Sequence, residues 1–188
     1  MNEIDRIKLD VINNELSYIE LMELYIKYLK IRQSMMNKIP SIRNDYKYYV
    51  NDIGSNCYAY AFRFDLPLYF ATSFDRELGD AFDFYPGCFC GIHNIYANED
   101  LLNGLYGDLD ILGIKYSDKL DDNHLYKVAV FFKSEFLSIN NIPDFHFWRL
   151  NGNGMWSCKN GYSTNIEKSD KPRSGMSYRL IKVLDINK

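Results

Sequence analysis

The chain has 188 residues, enough for one domain with a continuous core and no need of covalent staples. Lys and Arg number 22 against 25 Asp and Glu, a formal net charge of -3 with no basic block, which argues against a nucleic-acid partner. The start, Met1-Asn2-Glu3-Ile4-Asp5-Arg6, lacks the basic opening and apolar run of a secretion signal, and no stretch has the apolar length needed to cross a bilayer. With no signal and ample core, Cys57, Cys88, Cys90 and Cys158 read as reduced thiols, so the expected setting is cytoplasmic, or export without a signal peptide.

Ser17-Tyr18-Ile19-Glu20 has the form of a capping box, and Leu21, Leu24, Tyr25, Tyr28 and Leu29 recur at the spacing of one helix face. A helix running to about Met36 and stopping before Pro40 is predicted, its Met and Tyr stripe facing the core. Ser41 to Ile53 is less regular. Gly54-Ser55-Asn56 then supplies a turn and a capping side chain, so a second helix is expected to begin at Cys57, bury Ala59, Ala61 and Phe62, and end before Pro67.

Between Leu66 and Asp83 no periodicity stands out, and Tyr85-Pro86-Gly87 with Gly91 reads as a loop. Leu101, Leu102, Leu105, Leu109 and Leu112 predict a helix over Asn98 to Leu112, against the propensity of Gly104 and Gly107. Val128-Ala129-Val130-Phe131-Phe132, within Tyr126 to Phe132, suits a strand buried on both faces. Phe145 to Leu150 is a second strand, Asn151-Gly152-Asn153-Gly154 a hairpin turn and Met155 to Lys159 the return. Pairing Leu150 with Met155 sets Trp148 across from Ser157 and His146 across from Lys159. The last strand is Tyr178 to Leu184. Helices first and antiparallel strands afterwards imply an α+β domain over residues 1–188, with a helical part at 1–53 and a core at 54–188.

Two segments carry chemistry. Asn56-Cys57-Tyr58-Ala59-Tyr60-Ala61-Phe62 puts a thiol in the first turn of a helix, where unpaired amides and the helix dipole favour an anion. Asp144-Phe145-His146-Phe147-Trp148-Arg149-Leu150 puts an imidazole on a downstream strand between apolar walls, where it can act as a base for that thiol. Cys88-x-Cys90-x-x-His93, with Cys158 or His124 as a fourth ligand, is poorly spaced for zinc, so no metal and no cofactor is expected.

These segments, with the Pro86-Gly87 loop, Gly154-Met155-Trp156-Ser157-Cys158-Lys159 and Thr164-Asn165, resemble the papain-like cysteine peptidase and amidase superfamily in its small bacterial and phage branches. The resemblance lies in motif order and covers about the C-terminal two-thirds of the chain. It implies a papain-like fold with a nucleophile helix packed on the sheet, Cys57 as nucleophile and His146 as general base. It also implies a third polar residue that orients the imidazole, for which Asn165 is chosen and Asp144 and Ser157 compete. Such enzymes place a Gln six positions before the cysteine to help form the oxyanion hole; here Asn51 stands there, and Asn56 is the other candidate. Trp148 and Trp156 form a substrate wall across the hairpin, or merely a cross-strand packing pair.

The implied activity is hydrolysis of an amide or isopeptide bond in a peptide, protein or cell-wall crosslink, through a thioester. Deamidase and transglutaminase chemistry share that first half-reaction. A catalytically inactive interaction module on the same fold, such as an effector or anti-defence protein, is the reading from another class, motivated by the departure at Asn51 and the open choice of third residue.

Overall fold

The computed structural model describes residues 1–36, 56–79, 82–119, 126–134, 143–152, 154–161, 165–175 and 177–187. Among the described residues five helices precede the sheet: α1 (Glu3–Asn13), α2 (Tyr18–Met36), α3 (Cys57–Phe62), α4 (Leu68–Leu78) and α5 (Asn98–Leu112). Six strands follow, β1 (Tyr116–Ser117), β2 (Tyr126–Lys133), β3 (Asp144–Leu150), β4 (Trp156–Lys159), β5 (Ile166–Ser169) and β6 (Arg179–Ile186). They form one antiparallel sheet in the order β1-β6-β2-β3-β4-β5. The expected α+β arrangement, helices first and antiparallel strands after, is what the chain adopts. No described helix is long and apolar enough to cross a membrane.

Local chemistry sets the helix starts. Ser17 and Glu20 form the anticipated box, the Glu20 carboxylate accepting from the Ser17 amide at 2.9 Å and from its hydroxyl at 2.7 Å. Tyr25 and Tyr28 of α2 then donate to the carbonyl and carboxylate of Asp65 at 2.8 and 2.6 Å, tying α2 to the segment that leaves α3. Helix α4 fills the stretch where sequence periodicity predicted nothing. Pro67 caps it without a side-chain bond, and it buries only Phe70, Ser73 and Phe74, too short a stripe to register as a period.

Gly104 and Gly107 lie inside α5 because that helix touches the loop before it. A Cβ on Gly104 would stand 2.7 Å from the Pro86 carbonyl oxygen, and one on Gly107 2.7 Å from the Cys90 sulfur. From the same helix, buried Asp108 reaches into this loop and accepts from the amides of Gly87, Phe89 and Cys90 at 2.7, 2.9 and 2.9 Å and from the Tyr58 hydroxyl at 2.9 Å.

The sheet has two different faces. Tyr126, Val128, Val130 and Phe132 of β2 join Phe147 of β3 in the main core beneath the helices, while Ala129, Phe131, Trp148 and Cys158 form a smaller cluster on the other side. Strand β2 is thus buried on both faces, as its continuous apolar run predicts. The hairpin register is one residue off the expected one. Asn151 N–H donates to the Met155 carbonyl and closes the turn there, so Leu150 pairs with Trp156 and Arg149 with Ser157. Trp148 therefore shares its cluster with Cys158 rather than facing Ser157.

Candidate active site

Asn56 makes α3 start where it does. Its side-chain oxygen accepts from the Tyr58 and Ala59 amides at 3.0 and 3.2 Å, and its Nδ2 donates to the Phe84 carbonyl. Both ends of the amide are engaged in holding the fold, so Asn56 acts here as helix cap and loop anchor. Asn51, the other oxyanion candidate, lies outside the described residues. All six residues of α3 are buried, and the helix ends in a left-handed Arg63 (φ 61°).

Cys57 is 5 % exposed, and its Sγ lies 3.9 Å from the carbonyl oxygen of Phe145 on β3. Burial pushes the thiol up to about 12; the Asp144 carboxylate adds to that, while the backbone N–H groups of Phe147, Tyr58 and Cys57 pull the other way. Amides at the helix start are therefore present as expected, and desolvation outweighs them. The resting group at neutral pH is a neutral thiol.

Strand alternation decides where His146 goes. Phe145 and Phe147 turn toward the helices, whereas His146 pairs with Phe131 and lies edge-on to Trp148 and Tyr178, with ring centroids 6.2 and 6.4 Å away. Burial lowers its pKa below the ordinary 6.5, offset in part by Asp144 and Glu167. The imidazole lines a cleft of about 410 Å³ with Asn160, Glu167, Arg173, Ser174 and Tyr178. Within it Arg173 donates from Nε and Nη2 to Glu167 at 3.2 Å each, and the Tyr178 hydroxyl donates to Asp144.

The thiol thus abuts the β3 backbone one residue before His146, while the imidazole projects from the far face of the same strand. Among the described residues no hydrogen bond joins the two. Among the described residues the β3 edge on the β4 side is paired only at Arg149 and Leu150, and beside His146 the Cys57 sulfur lies against the Phe145 carbonyl.

The remaining sequence candidates separate. Asn165 stands exposed just before β5, and its side chain makes no hydrogen bond to the imidazole. Ser157 is buried and bonded to the Tyr60 hydroxyl and Asn151 Nδ2, both at 2.7 Å, on the helix side of the sheet. Asp144 is exposed and bonded to Tyr178. Trp148 is 1 % exposed, so it is packing beneath the cleft rather than a wall open to ligand; Trp156 is half-buried against the same cluster. Cys88 donates to Asp108, Cys90 to the carbonyls of Gly87 and Gly104, and His93 Nδ1 bonds Tyr85, so these groups spend their contacts within the loop and on helix α5.

Sequence reasoning missed Glu167, Arg173 and Tyr178. Glu167 pairs with Cys158 across β4 and β5, which puts it on the His146 face; an alternation count along β4 and β5 was the one signal available. Comparisons with protein-family models, curated proteins and solved structures found no match for this chain.

Proposed function

We propose that the protein is a papain-like cysteine hydrolase in which Cys57 is the nucleophile and His146 the base. The observation that carries this reading is the seating of the Cys57 sulfur against the β3 backbone beside His146, 3.9 Å from the Phe145 carbonyl, at an unpaired edge next to a polar cleft. Both groups rest neutral, the thiol raised and the imidazole lowered by burial. Proton transfer then accompanies attack rather than preceding it. The Cys57 proton passes to an imidazole nitrogen, sulfur bonds to the substrate carbonyl carbon, and the amine leaves with that proton. Water, deprotonated by His146, cleaves the thioester and restores the thiol. If an amine replaces this water the same site is a transglutaminase, and if the amide is a side-chain carboxamide it is a deamidase.

A peptide vinyl sulfone, which adds to activated thiols, tests the assignment by intact-mass analysis. Adduct at Cys57 in the wild type and its loss in His146→Ala support the hydrolase; equal labelling of the two variants overturns it. The near-complete shielding of Cys57 favours a second reading, an interaction module on the same framework. That reading expects a partner's affinity to survive Cys57→Ser unchanged.

A further inference from the structure

On the side of the sheet that carries the helices, at the edge away from β4, a second cleft of about 340 Å³ opens between the end of α2, the α5–β1 turn and the ends of β2 and β6. Its size falls at the small end of ligand pockets, which run roughly 300–1,000 Å³. Leu112, Ile114 and Ile186 supply apolar wall, Lys30 and Lys115 supply two ammonium groups, and none of the described residues that line it is a carboxylate.

Tyr126 forms the inner wall. The residue is 5 % exposed, yet its hydroxyl has no hydrogen-bond partner among the described residues. A buried hydroxyl left unpaired is a standing cost that a ligand acceptor removes. The Tyr126 ring also lies under two guanidinium groups, Arg149 at 3.6 Å and Arg63 at 5.4 Å from its centroid. Two lysines of the lining and two guanidinium groups over the ring therefore accompany one unsatisfied donor, and that combination favours a negative head group. We propose that this cleft is a binding site for a small amphiphilic oxyanion, a carboxylate or phosphate head on a short apolar body. The head accepts from Tyr126 and is flanked by Lys30 and Lys115, and the body lies on Leu112, Ile114 and Ile186. This site is separate from the one at Cys57 and His146 and does not depend on that assignment.

The test uses hexanoate and hexyl phosphate as probes and 1-hexanol as the uncharged comparison, titrated into the full chain and followed by amide chemical shifts. Saturable shifts at the α5–β1 turn with either anion, and none with hexanol, are expected; the two anions distinguish a carboxylate from a phosphate site. Tyr126→Phe separates binding from folding. It weakens the anion about tenfold, the loss of one hydrogen bond to a charged acceptor, while thermal stability holds or rises because an unpaired hydroxyl is gone. Absence of saturable binding by both anions, binding of hexanol as tight as that of the anions, or undiminished anion affinity in Tyr126→Phe overturns the proposal.

Discussion

The sulfur of Cys57 lies 3.9 Å from the carbonyl oxygen of Phe145, so the thiol of α3 touches β3 at the residue preceding His146. Two segments 88 residues apart are joined there without a bond between the reactive groups themselves. The contact seats the thiol against the strand, and the burial that accompanies it pushes its pKa up.

Asn56 is the residue on which that placement depends. Asn56→Ala removes the acceptor for two α3 amides and the donor to Phe84, and is expected to destabilise the protein by about 1–3 kcal/mol. Asn56→Asp keeps the acceptor and loses only the donor, so it should lie between wild type and Asn56→Ala in urea unfolding. Equal midpoints for all three proteins would mean the cap does not hold α3.

Asp108 organises the Pro86–Gly91 loop through three amides and the Tyr58 hydroxyl. Asp108→Ala strands those donors in a buried setting and should cost about 3 kcal/mol or more. Differential scanning calorimetry measures it; an unchanged Tm contradicts the role.

Gly104→Ala forces a methyl to within 2.7 Å of the Pro86 carbonyl, a backbone atom that cannot turn aside. The expected loss is about 1–3 kcal/mol in spite of alanine's better helix propensity. A stabilised variant, which propensity alone would give, would show that α5 and the loop are not in contact.

His146 makes stability depend on pH with a definite sign. Its pKa is lowered in the folded protein from the ordinary 6.5, so below that value the unfolded chain binds more protons than the folded one. Stability contributed by the neutral imidazole is full above pH 6.5 and falls as pH drops toward the lowered folded value. His146→Ala should flatten that part of the profile in denaturant titrations between pH 5 and 7; an unaltered slope would mean the imidazole is not desolvated.

Much of the fold was legible because local signals were strong. The Ser17–Glu20 box, the Asn56 cap, the leucines of α5 and the apolar run of β2 each state their element without tertiary help. Helix α4 was not, since Pro67 gives no capping side chain and its buried stripe is short. The β3–β4 register slipped by one because Asn151-Gly152-Asn153-Gly154 reads as a turn that pairs Leu150 with Met155, whereas closure falls between Asn151 and Met155. Cys57 and His146 were legible as chemical groups; which face of β3 the imidazole takes was not, because both faces of that strand are apolar. Glu167, Arg173 and Tyr178 meet His146 only through β5 and the segment before β6, a convergence that no run of residues displays.

The rate of Cys57 alkylation by iodoacetamide against pH, read by mass spectrometry in wild type and His146→Ala, tests the central claim most directly. A neutral thiol served by a neutral base predicts no reactive plateau in acid, a rate that climbs toward the raised thiol value, and a neutral-pH rate lowered about tenfold or more by His146→Ala. Superimposable profiles for the two proteins would contradict it, because His146 would then contribute nothing to the reactivity of Cys57.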